Sequence, residues 1–235
     1  MTLAVRLSAK GTGAATTVVT SLGDTLPARS RFVVMLHSGS FLSITDNKGN
    51  VYAEMTRQSW PVDANLLRVF EAEGVGGAGH TITTTYSSSS NRYVLAAEIA
   101  ESPAPDVRVS NSDAATPFTI ATPALVTPVE LALLFATGDT SSNPTTHAES
   151  TGFTIHVEET NGATYFAGFL ASKNVTVTTA LTPSWTQSGG TDGVSAVWTF
   201  RDASPPVNGP DSNRHPALAD PQIGTRGLLS AASWV

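Results

Sequence analysis

The sequence predicts an all-β fold, an antiparallel β-sandwich, and three observations point that way. Short runs of β-branched and aromatic residues recur along the chain, parted by clusters of Gly, Pro, Asn, Asp and Ser. Charged residues make up only 14%, against the usual quarter. Thr, Ser, Ala and Gly replace them, a composition that suits pleated surfaces, where Thr packs well. Finally, no stretch makes a convincing long helix. Leu66, Leu67 and Phe70 have helical spacing, but Leu66 to Phe70 reads equally well as a strand.

In chain order the expected strands begin with Leu3–Leu7, Thr16–Ser21, Phe32–Leu36, Phe41–Thr45, Val51–Thr56 and Leu66–Glu71. His80–Tyr86, Tyr93–Ile99, Phe118–Ile120, Glu130–Ala136 and Gly152–Val157 follow, then Tyr165–Ala171, Val175–Thr179 and Ser195–Arg201. In His80–Tyr86, Ile82 and Tyr86 share one parity, so one face of that strand is apolar. Between Phe41–Thr45 and Val51–Thr56, Asp46-Asn47-Lys48-Gly49-Asn50 is the clearest hairpin signal, with Asn and Gly able to supply positive φ. Thr137–Ser150 and Pro183–Gly193 read as loops, the first long enough to carry function or meet a neighbour. No internal repeat of useful period is visible. The strand spacing is that of a jelly-roll or immunoglobulin-like sandwich, with jelly-roll type expected.

This organisation places a β-sandwich domain at 1–201 and a Pro/Gly-rich C-terminal arm at 202–235. The arm holds five prolines and three glycines, which exclude a long helix or central strand. It also carries Ile223, Leu228, Leu229, Trp234 and Val235, too apolar for a solvated linker. Such a segment packs on something else, its own body or an adjacent subunit, and those five residues are the expected partner contacts.

Composition narrows the function. With no cysteine, disulfides, thiolate metal sites and cysteine nucleophiles are excluded. Net charge is −6 with the basic residues scattered, so no stripe is available to grip nucleic acid. No run approaches the length of a membrane span. The N-terminal MTLAVRLSAKGTGAATTVVTSL lacks the basic start and apolar core of a signal peptide.

Candidate sites resolve into structural readings. His37-Ser38-Gly39-Ser40 sets a histidine beside serines but lacks the Gly-x-Ser-x-Gly of a nucleophile elbow, and reads as a polar turn. No histidine pair has zinc-helix spacing, and His156, between Ile155 and Val157, is expected to face solvent. Asp46–Asn50 lacks the closing Glu of a calcium loop. Glu158 and Glu159 point to opposite faces and do not converge on one substrate. The expectation is therefore no enzyme, no cofactor and no metal. Trp198 belongs in the core, whereas Trp60 and Trp185, near prolines, are the candidates for an exposed glycan or partner platform.

One resemblance adds to this. Val18–Leu22, Leu26-Pro27, Phe32–Leu36, the Asp46-x-x-Gly49-Asn50-x-Tyr52 hairpin, Trp185 and the closing strand Val194–Arg201 occur in that order. The order resembles jelly-roll β-sandwich modules of tailed-phage virion proteins and of some secreted bacterial surface proteins, over roughly residues 10–201. The resemblance implies a structural or adhesive role and brings no catalytic residues. The expected function is a virion structural protein, a capsid decoration or cement protein assembled in the host cytoplasm. Its expected partners are copies of itself and other virion proteins. A tail or fibre component, or a module binding host glycans, is the alternative.

Overall fold

The computed structural model describes residues 3–201 except 28, 62–65, 102, 126–129, 141–143, 161–165 and 177, so the arm residues Ile223, Leu228, Leu229, Trp234 and Val235 lie outside the described residues. Among the described residues every regular element is a strand. The first eight are β1 (Val5–Gly13), β2 (Thr17–Gly23), β3 (Arg29–His37), β4 (Phe41–Asp46), β5 (Ala53–Ser59), β6 (Leu66–Val75), β7 (His80–Tyr86) and β8 (Arg92–Ala100). Then come β9 (Ala104–Asp113), β10 (Phe118–Thr119), β11 (Glu130–Thr140), β12 (His147–Glu149), β13 (Thr154–Glu159), β14 (Phe166–Val175), β15 (Ser184–Gln187) and β16 (Gly190–Arg201). The all-β antiparallel prediction holds.

Two kinds of strand sequence build two kinds of sheet. Phe32-Val33-Val34-Met35-Leu36, Tyr93-Val94-Leu95-Ala96-Ala97 and Leu131-Ala132-Leu133-Leu134-Phe135-Ala136 are unbroken apolar runs, as a strand buried on both faces requires. They lie inside two five-stranded sheets, β1-β8-β3-β6-β5 and β9-β16-β11-β14-β13. By contrast β7 alternates, burying His80, Ile82, Thr84 and Tyr86 while the threonines between them turn outward. It is the centre of a three-stranded outer sheet, β2-β7-β4; the second outer sheet is β10-β15-β12.

The sheets stack in four layers around three cores. Val33, Met35, Leu95 and Ala97 meet Leu133, Phe135, Ala196 and Trp198 in a central core between the five-stranded sheets. Phe32, Val34, Leu36, Ile82 and Tyr86 fill the core under β2-β7-β4. Phe118, Leu134, Phe169 and Trp185 fill the one under β10-β15-β12. Each fully buried aliphatic or Phe side chain contributes about 1.5–3 kcal/mol of transfer free energy.

The strand order reveals a duplication that the sequence had seemed to lack. Substituting β9–β16 for β1–β8 in order converts one pair of sheets into the other. The match extends to register. Val33 pairs with Glu71 and Ala97, and Leu133 with Ser172 and Trp198; Met35 pairs with Val69 and Leu95, and Phe135 with Leu170 and Ala196. Even the bulges correspond, one at Met55 between Glu54 and Thr56, the other at His156 between Ile155 and Val157. Each half, β1-β8-β3-β6 facing β2-β7-β4 with β5 added at the edge, is compatible with a jelly roll.

Several local expectations need correction. β9, an edge strand, lies where the sequence showed mainly loop. The expected loops Thr137–Ser150 and Pro183–Gly193 contain the end of β11, β12, β15 and the start of β16. The strand expected at Val175–Thr179 is absent, because β14 ends at Val175.

Candidate functional site

The turn from Asp46 to Tyr52, which joins β4 to β5, is the most completely built polar centre. The Asp46 carboxylate is fully buried and accepts from the Lys48 amide at 3.0 Å, the Asn50 amide at 2.9 Å and Asn50 Nδ2 at 2.7 Å. Tyr52 Oη donates to it at 3.1 Å, and His80 Nε2 lies 3.0 Å away. Burial works to raise the Asp46 pKa, but the hydrogen bonds from Asn50, His80 and Lys48 outweigh it and hold the acid below its ordinary value. Gly49 takes φ +79°, the left-handed conformation the turn needs. The carboxylate thus holds a turn where the sequence placed one, but not the expected β-hairpin: β4 pairs with β7 and β5 with β6, so the turn carries the chain from one sheet to another.

The same device recurs in the second half. Glu149 accepts from the Thr151 amide at 2.8 Å and the Phe153 amide at 2.9 Å, with Gly152 at φ +86°. Asp46-x-x-Gly49 and Glu149-x-x-Gly152 were the available sequence sign of the duplication, at the same spacing but with different acids.

Other predicted residues are placed as follows. Trp185 is completely buried and Trp60 is 4% exposed, which corrects the expectation of an exposed platform. Proline neighbours marked the chain around them, while the rings themselves fill cores: Trp185 packs on Phe118 and Phe169, Trp60 on His37 and Phe166. Trp198 is buried as expected. His37 is no turn residue. It ends β3 and is buried against Phe166, with ring centroids 3.9 Å apart. Ser38 and Ser40 bond to each other instead. Glu158 meets His147 Nδ1 at 2.9 Å on one face, and Glu159 meets Lys10 at 3.5 Å on the other, so they diverge as expected. Among the described residues no group of three or more His, Cys, Asp or Glu could hold a metal ion.

A pocket that no sequence feature announced lies where the start of β1 approaches β13 and β14. It encloses about 410 Å³. Val5 and Leu131 form an apolar wall; His156 and Ser172 supply polar groups, with Thr154 and Asn174 exposed beside them, while Lys173 leaves the opposite face of β14. The β13 bulge overturns the alternation that had His156 facing solvent. Its Nε2 and Ser172 Oγ are hydrogen-bonded at 2.6 Å. Burial lowers the His156 pKa, so the imidazole is neutral at neutral pH. Lys173 Nζ donates to the Thr151 carbonyl at 2.6 Å and lies 6.0 Å from the Phe153 ring centre. No protein-family profile, curated protein or solved structure matches this chain.

Proposed function

We propose that this chain is a structural protein of a tailed-phage particle, acting as a capsid decoration or cement protein. The observation that carries the reading is the union of a β-sheet body with the segment 202–235, in which five prolines accompany Ile223, Leu228, Leu229, Trp234 and Val235. Prolines lower the entropy lost when such an arm is ordered, and each buried apolar side chain contributes about 1.5–3 kcal/mol toward holding it. Arms clasping adjacent subunits would give each copy several weak contacts, and multivalency turns these into a stable shell.

The outer face of β2-β7-β4 supports the same reading. Its outward positions include Thr17, Val19, Ser21, Leu42, Ser43 and Thr45, and none is charged; Val19 is 57% and Leu42 61% exposed. An uncharged, partly apolar face loses little solvation free energy when covered by a neighbour. The carbohydrate-binding alternative loses its expected stacking platform, because Trp60 and Trp185 are buried.

Immunogold electron microscopy of the source particle provides the test. Label over the capsid faces is the expected result, and release of the protein when Pro205–Val235 is deleted would identify the clasp. Label confined to the tail tip would reassign the chain to host attachment. Protein found free, with no particle association, would end the virion reading.

A further inference from the structure

The duplication separates what the fold dictates at the pocket from what it does not. Register makes Arg31 equivalent to Leu131, Glu71 to Ser172 and Glu73 to Asn174, and the matching bulges make Met55 equivalent to His156. In the first half these positions are closed by an ion network. Arg31 lies 3.1 Å from Glu71 and 3.5 Å from Glu73, and Arg108 donates to Glu71 at 2.6 Å. In the second half a leucine and short polar groups stand there, and about 410 Å³ stays open. A histidine hydrogen-bonded to a serine faces that space. The shared scaffold does not require this pair, since Met55 and Glu71 hold the same positions in the other half.

The pair is set up for one kind of chemistry. Leu170 packs in the central core, so Ser172 and Asn174, next on the same face of β14, look out beside Leu131. His156 Nε2 lies 2.6 Å from Ser172 Oγ. Burial keeps that imidazole neutral at neutral pH, able to accept the hydroxyl proton. Ser8 Oγ donates to the His156 carbonyl at 3.2 Å and ties the bulge to β1. Thr154, paired with Ser172, and Asn174 are exposed and offer a hydroxyl and an amide beside it. The nearby acids are turned elsewhere, Glu158 to His147 and Glu159 to Lys10, so among the described residues no carboxylate stands behind His156. Disabling that third member of a serine triad costs roughly 10⁴-fold in rate, which leaves a slow nucleophile rather than none.

We propose that Ser172 is a nucleophile, with His156 as its general base, for acyl transfer from small esters that enter the pocket. Ser172 Oγ attacks the ester carbonyl carbon while its proton passes to His156 Nε2. The bond from that carbon to the leaving oxygen then breaks, and the imidazolium returns the proton to the departing alcohol. The product is an acyl-serine. Thr154 and Asn174 supply donors for the carbonyl oxygen, and Val5 and Leu131 receive an apolar acyl chain. With no carboxylate behind His156, the acyl group accumulates on the chain instead of turning over quickly. This activity stands independently of the virion reading, since it rests on β1, β11, β13 and β14 alone.

Incubating the full-length chain with p-nitrophenyl butyrate and mapping its peptides by mass spectrometry tests it. One butyryl group on Ser172 is the expected product, formed at least about tenfold faster than on the exposed Ser43 of β4. His156→Gln should slow its formation about a hundredfold, the low end of general-base catalysis. The rate should also fall in acid, below the ordinary histidine value of 6.5, as the imidazole takes up its proton. Thr154→Trp, at an exposed strand position, should block entry without disturbing the core, and so reads the pocket even where His156→Gln unfolds the chain. Thermal unfolding checks that each variant is folded. No adduct on Ser172, an adduct formed no faster than on Ser43, or an unchanged rate in either folded variant overturns the proposal.

Discussion

Asp46 concentrates more hydrogen bonding on one buried carboxylate than any turn requires for its shape alone. Removing it would strand the amides of Lys48 and Asn50 and the side chains of Tyr52 and His80. Asp46→Ala should therefore destabilise the protein by about 3–5 kcal/mol, the cost of breaking a buried charged network from one side. Urea denaturation at neutral pH measures it, and Asp46→Asn should fall between the variant and the parent. The histidines set the pH response. Burial lowers the pKa of His147, although Glu158 and Glu159 pull the other way, and burial alone lowers that of His156. A histidine with a depressed folded pKa takes up its proton more readily when unfolded. Stability is thus full above the ordinary value of 6.5 and falls as pH drops from there toward the folded values. Asp46, also depressed, adds a separate loss at lower pH, as pH falls through its folded pKa. Urea midpoints should decline between pH 7 and pH 5, and a His147→Asn, His156→Asn double variant should show a shallower decline.

Among the elements, β14 is tightly constrained at one glycine. At Gly168 a Cβ would lie 2.5 Å from both the Ala136 carbonyl and the Tyr93 hydroxyl. The carbonyl belongs to the neighbouring strand and cannot step aside, so Gly168→Ala should cost about 1–3 kcal/mol by overpacking. Thermal unfolding reads this directly. The elements also divide cleanly by what the sequence exposes. β7 was readable because an outer strand alternates, and β3 because Phe32–Leu36 is a continuous apolar run. The Asp46–Asn50 turn was readable because turn chemistry is local, but the pairing of the strands it joins was not, and the expected hairpin is a crossing between sheets. β10 and β12, of two and three residues, are too short for any periodicity. β9 was hidden because Asp106, Arg108, Asn111 and Asp113 give an edge strand a polar profile. The pocket was invisible for a different reason. His156 reaches Ser172 only through a bulge, and a bulge reverses the facing that alternation assigns.

For the molecule as a whole, the duplication escaped the sequence because equivalent positions preserve burial rather than identity. Ala97 answers to Trp198 and Tyr93 to Val194, so a large residue in one half compensates a small one in the other within a shared core. The halves meet through equivalent faces, and their edge contacts are reciprocal: β1 lies beside β13, and β9 beside β5. Ser8 reaches the His156 carbonyl, and Ser110 reaches Gln58. Such self-complementarity is the signature of a two-fold relation, here carried within a single chain.

A two-fold relation between halves has a consequence for connectivity. The passage from Ala100 in β8 to Ala104 in β9 takes only a few residues. Rotation by half a turn carries those two ends onto Arg201 and Ala4, so this second pair lies equally close. Topologically the body is a ring that happens to be cut at one of two equivalent places. A circular permutant that starts at Ala104, runs to Arg201, crosses a three-residue Gly-Ser-Gly bridge to Ala4 and stops at Ala100 should fold to the same sheets. Matching circular dichroism and a single cooperative melting transition would be its mark, and an unfolded or aggregated product would show that the two cuts are not equivalent.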